Sequence, residues 1–96
     1  MKPAALLDLK RGAIRDAVSR NKAANPRVFG SALHGADDEQ SDLDILVDAL
    51  PGATLFDLGA LQIELQELLG VEVDLLTPED LPPNFRAKVL AEAEPV

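Results

Sequence analysis

A chain of 96 residues with no cysteine, 17 acidic against 9 basic side chains and a formal charge of −8 excludes several classes of protein. It has no disulfide framework or thiolate zinc site, no run approaching the roughly 18–20 apolar residues of a membrane span, and no basic excess for gripping nucleic-acid phosphates. A soluble cytoplasmic protein is expected, one domain over residues 1–96 with an aliphatic core, since 47% of residues are hydrophobic but only 3% aromatic, and small enough to favour a partner subunit or self-association.

From about Ala4 to Asn21 the spacing of Leu6, Leu7, Ile14, Ala17 and Val18 predicts one helix. Asn25-Pro26 breaks the pattern, because the residue before proline is pushed out of the α region. Arg27-Val28-Phe29 reads as a short strand running into Gly30-Ser31, and Ala36 to Ser41 as a polar loop. Leu43, Ile45 and Val47 alternate with Asp42, Asp44 and Leu46, the pattern of a strand with one apolar face. Pro51-Gly52 makes a turn. Thr54 and Asp57 form a variant of a capping box. Leu55, Leu58, Leu61, Leu65, Leu68 and Leu69 then lie at helical spacing as a core stripe, and Gly70 stops the helix. Val71 to Leu76 predicts a strand, Thr77-Pro78 a cap with proline at the first helical position, and about Asn84 to Ala93 a last helix. The order is that of an α/β (α+β) fold, a small mixed sheet covered by helices.

Charge is unevenly distributed. Seven of the nine cations lie between Lys2 and Arg27, Arg86 and Lys88 lie near the C-terminus, and no Lys or Arg occurs from Val28 to Phe85. One reading is a solvated acidic surface. The other is a site that takes a divalent cation before it can accept an anionic nucleotide.

Residues i and i+2 of a strand share a face, so Asp42 and Asp44 project side by side. Paired carboxylates repel when ionised, and a divalent cation relieves this. Mg²⁺ prefers oxygen ligands and keeps waters and phosphates in its shell. The strand Val71 to Leu76 offers a third acid on one face, Asp74 or Glu72. Asp48 continues the face of Asp42 and Asp44 but lies beyond the pair. Asp37, Asp38 and Glu39 read as a solvated loop. Gly30 lets phosphate approach the backbone closely, and the Ser31 hydroxyl and neighbouring N–H groups can hold phosphate oxygens.

The run Gly30-Ser31-Ala32-Leu33-His34-Gly35, then Asp42-Leu43-Asp44, then Val73-Asp74-Leu75-Leu76-Thr77-Pro78, resembles the minimal nucleotidyltransferases (MNT) of the DNA polymerase beta superfamily. The resemblance extends from the N-terminal helix to Phe85-Arg86. It implies the nucleotidyltransferase fold and selects Asp74 over Glu72 as the third acid. Asp42, Asp44 and Asp74 would be catalytic and hold two Mg²⁺ ions, Asp74 would draw the proton from the acceptor hydroxyl, and Gly30, Ser31 and His34 would bind the nucleotide. Family members carry arginine where His34 stands; histidine is mostly neutral near pH 7, which puts triphosphate binding in question. The resemblance further implies an antitoxin of a HEPN/MNT toxin–antitoxin module, in a hetero-oligomer with a HEPN ribonuclease toxin, transferring AMP from ATP to a tyrosine of that toxin. Two alternatives stand beside it: an inactive antitoxin that neutralises by binding, and a subunit of a small-molecule nucleotidyltransferase.

Overall fold

The strand with the alternating pattern is the centre of the molecule. The computed structural model describes residues 1–96. β1 (Ala23–Phe29), β2 (Leu43–Ala49), β3 (Val73–Leu76) and β4 (Glu94–Pro95) form one sheet in the order β3-β2-β1-β4. β2 runs antiparallel to β1 and parallel to β3, and β4 lies antiparallel on the outer edge of β1.

The inward positions of β2 (Leu43, Ile45 and Val47) are fully buried. Three helices cover them: α1 (Pro3–Leu9), α2 (Arg11–Arg20) and α3 (Leu55–Leu69). Leu7, Ile14, Ala17, Val18, Leu61, Leu65 and Leu69 join the three β2 residues in one apolar cluster. At about 25 cal/mol per Å² of apolar surface, this layer is the main source of stability. No helix is long and apolar enough to cross a membrane.

The helix expected from Ala4 to Asn21 is two. Lys10 leaves the helical region (φ −124°, ψ 23°) and closes α1 while opening α2. Its ammonium donates to the Leu68 carbonyl at 2.9 Å, satisfying one of the carbonyls that the end of α3 leaves free. A long-range contact, not a local breaker, sets the kink. The strand expected at Arg27 to Phe29 begins at Ala23. Asn25-Pro26 interrupts its pairing without ending it: the register slips between Ala24 and Arg27, and Asn25 sits at φ +56°.

α3 starts at the reciprocal Thr54–Asp57 capping box and stops at Gly70 in the left-handed region (φ +71°). Leu61, Leu65 and Leu69 are buried as expected, but Leu55 is 86% exposed, so the core stripe starts one turn later. α4 (Pro83–Glu92) buries no residue. It is tied down by Arg86, which donates to the carbonyls of Pro78, Glu79 and Leu81 at 2.8, 3.2 and 3.0 Å. The two-residue β4 was not expected. It is held by pairing with β1 and by Arg11 and Arg15, which donate to the carbonyls of Pro95 and Val96.

Candidate active site

The outward face of β2 carries Asp44, Leu46 and Asp48, and Asp42 immediately precedes the strand. Register fixes their neighbours. Phe29 of β1 and Asp74 of β3 stand directly opposite Asp44 on either side. Directly opposite residues share a face, with Cβ atoms about 5 Å apart in antiparallel pairs. The row Phe29–Asp44–Asp74 therefore crosses the sheet, with Asp42 one pleat beyond it. Glu72 precedes β3, and its carbonyl accepts the Leu43 N–H at 2.9 Å, which leaves Asp74 as the acid in register.

Asp44 is half-buried while Asp42 and Asp74 are exposed. Its carboxyl is pushed up to about 6, first by burial, then by the charge of Asp74 and a hydrogen bond with it, and last by the charge of Asp42. Asp44 holds its proton more tightly because it is partly buried and, beyond that, because two other acids crowd it. A hard divalent cation relieves that crowding, and the donor set, carboxylate oxygens only, fits Mg²⁺. No three acidic, His or Cys side chains already meet as a closed cation cage.

Gly30 is required twice. It adopts φ +77°, and a Cβ there would collide with Asp44 Oδ2 and lie 3.1 Å from Asp44 Cγ. Only a residue without a side chain lets the end of β1 pass over the Asp44 carboxyl. The chain then makes a 3-10 turn, Gly30–Ala32. The first N–H groups of such a turn have no acceptor within it. The turn is closed by the N–H groups of Leu33 and His34 on the Gly30 carbonyl and of Ala36 on the Ser31 carbonyl. Ser31 is half-buried at this turn.

His34 lies at the end of the turn, exposed, with Nε2 3.4 Å from Glu92 Oε2 of α4. No lysine or arginine follows until α4, where Arg86 is already committed to backbone carbonyls. Asp48 is likewise committed, accepting from Arg27 Nη1 at 3.1 Å and from Asn25 Nδ2 at 3.2 Å.

Asp37 departs from the solvated loop expected. It is 5% exposed, and its Oδ2 accepts the Ala4 N–H at 3.1 Å, capping α1 from a distance of 33 residues. Asp38 and Glu39 are exposed as expected. Asp38 Oδ1 accepts from the Gln40 N–H and from Ser41 Oγ, which turns the chain into Asp42. Sequence reasoning also missed Phe29 as a neighbour of the acids and Arg27 as a buried guanidinium. A strand-pairing guess that set Phe29 against Asp44 would have found the first.

With this geometry in hand, comparison with known proteins is informative. The sequence profile of the family described as "Nucleotidyltransferase domain" matches residues 11–95. A Methanocaldococcus jannaschii protein named "Putative protein adenylyltransferase MJ0435" is 44% identical over 66 residues, 69% of this chain and 71% of that protein. A solved structure described as that of a "putative minimal nucleotidyltransferase" superposes with a TM-score of 0.87 at 41% identity, covering 97% of this chain and 95% of the other. A toxin–antitoxin crystal structure with AMP-PNP shares the fold alone: TM-score 0.73, 23% identity, 88% of this chain and 69% of that one.

Proposed function

The chain belongs to the nucleotidyltransferase domain family, and from that premise we propose that it is a Mg²⁺-dependent protein adenylyltransferase, the antitoxin of a HEPN-family toxin, moving AMP from ATP to a tyrosine hydroxyl of that toxin. The observation that carries the reading is the row of acids: Asp44 in register with Asp74, Asp42 beside them, and Gly30 passing over the Asp44 carboxyl. The protein acceptor is supported by relatives named as protein adenylyltransferases. The toxin partner is supported by the shared fold of the toxin–antitoxin structure.

In this reading the backbone from Gly30 to Ala32 and the Ser31 hydroxyl hold the β- and γ-phosphates. Asp42, Asp44 and Asp74 would hold Mg²⁺ beside the phosphates. Bound Mg²⁺ would supply charge neutralisation at the attacking and leaving oxygens. The tyrosine oxygen attacks the α-phosphorus in line. A new P–O bond forms, the bridging P–O bond to the β-phosphate breaks, and pyrophosphate carries away that electron pair. Asp74, exposed at the edge of the row, takes the tyrosine proton.

A second reading has one observation in its favour. His34 stands where family members carry arginine, and it faces Glu92, not a free cation. A fold retained for binding alone would neutralise the toxin without turnover.

Incubation of the chain with its co-encoded partner, Mg²⁺ and labelled ATP, beside an Asp42→Ala/Asp44→Ala double variant, separates the two. The proposal expects label on the partner with the wild type and a loss of at least roughly 1,000-fold in the variant, about 4 kcal/mol of transition-state stabilisation. Neutralisation that survives in the variant, with no label from any nucleotide, would establish the binding-only reading.

A further inference from the structure

α3 is apolar on two sides. Its inner side packs in the core through Leu61, Leu65 and Leu69. Its outer side presents Phe56 (90% exposed), Gly59, Ala60 and Ile63 (58% exposed) at intervals of three and four residues, in one straight stripe. A second apolar stripe on a helix is normally covered by a partner.

Gly59 adds an independent clue. It sits mid-helix, where glycine costs about 1 kcal/mol relative to alanine. A Cβ built there would meet nothing within 4 Å, so nothing in this chain needs the glycine. A backbone approaching from outside does need it.

We infer that the outer face of α3 pairs with the same face of a second copy of this chain, as an antiparallel helix pair crossing at Gly59 and Ala60. The order large–small–small–large, Phe56-Gly59-Ala60-Ile63, reads the same from either end. A two-fold axis between Gly59 and Ala60 therefore sets Phe56 of each copy over Ile63 of the other, which is the self-complementarity an isologous interface demands. Beside Ile63 runs an open groove of about 460 Å³ between α2 and α3, walled by Arg20, Asn21, Ala60, Ile63, Glu64 and Glu67, that can receive the rim of the incoming Phe56.

Charge agrees with this pairing. Glu67 ends the stripe and has no ion-pair partner in the chain. The same axis sets it against the Pro51-Gly52 turn of the second copy. Lys22 adjoins that turn, its carbonyl accepting the Leu50 N–H at 2.9 Å; its ammonium makes no ion pair in the chain, although its charge acts on Asp57 of α3. Two Glu67–Lys22 pairs would flank the apolar centre. The acids of the active site lie on the opposite face of the sheet, so both sites of the pair stay open.

The test uses the full chain in sedimentation equilibrium. The interface is small, and we expect a dissociation constant on the order of 10 µM. Phe56→Ala should weaken it roughly 30-fold, and Phe56→Glu should leave monomers with an unchanged circular dichroism spectrum. Because the chain has no native cysteine, an Ala60→Cys variant should give a covalent dimer with oxidised glutathione, while Leu90→Cys, exposed on α4, should not. A monomer at millimolar concentration would overturn the inference, as would a dimer that survives Phe56→Glu. So would a Phe56→Glu variant unchanged in self-association that no longer binds its co-encoded partner, which would assign the face to a different protein.

Discussion

The two faces of β2 are built from alternate residues of one seven-residue strand and obey opposite rules. Inward, Leu43, Ile45 and Val47 are fully buried under three helices. Outward, Asp44 and, just before the strand, Asp42 stand on a partly open surface with Asp74 alongside, and only Leu46 is buried, outside the main apolar cluster. The inward face lowers the free energy of the fold. The outward face raises it, because burial and two neighbouring acids disfavour the ionised Asp44. Stability and function are thus separated by a pleat, and substitutions on the two sides should have effects of different kind.

The largest effect on stability is expected inward. Ile45→Ala should cost about 3 kcal/mol and lower Tm by roughly 15 °C, while the protein still folded at low temperature keeps its ability to transfer AMP. Calorimetry and the transfer assay on one preparation check both halves. Gly30→Ala lies where the faces meet. A side chain there must adopt φ +77° against Asp44, which should cost roughly 1–3 kcal/mol and abolish transfer as the Asp44 carboxyl is displaced. A variant with wild-type transfer would show that Gly30 has no part in the site.

The outward face makes a prediction of opposite sign. Asp44 holds its proton to about pH 6 in the folded chain but only to its ordinary 3.8 when unfolded. The folded state therefore binds more protons between those values, and stability falls as pH rises through that window. In EDTA, Asp44→Asn should flatten the slope and stabilise the chain at pH 7.5 by on the order of 1 kcal/mol, well below the roughly 3 kcal/mol of a fully buried carboxyl, because solvent screens this one. An effect of similar size and opposite sign is expected of Asp37→Ala. Loss of the remote cap on α1 should cost about 1 kcal/mol in urea unfolding.

The contrast between the faces was legible in the sequence because it rests on period two, a property of the strand alone. The same holds for the start and stop of α3, where Thr54, Asp57 and Gly70 act within one turn of themselves. What escaped depends on residues far apart in the chain. Lys10 breaks a helix because it reaches Leu68, and Asp37 is buried because it reaches Ala4. Glu94–Pro95 forms a strand only because the edge of β1 is there to pair with, and Leu55 is exposed because α3 enters the core a turn after its cap. In the site, Asp42 and Asp44 declared themselves by spacing, and the family resemblance chose Asp74 over Glu72. The reason for Gly30 did not declare itself, since it is a contact with a side chain fourteen positions on.

The central claim is that Asp42, Asp44 and Asp74 bind a metal–nucleotide complex on the outward face. Isothermal titration with a non-hydrolysable ATP analogue, with and without Mg²⁺, tests it on wild type and Asp44→Asn. The account predicts binding by the wild type that requires Mg²⁺ and weakens at least roughly 100-fold in the variant, about 2.7 kcal/mol. Binding that is the same without Mg²⁺, or the same in Asp44→Asn, would contradict it.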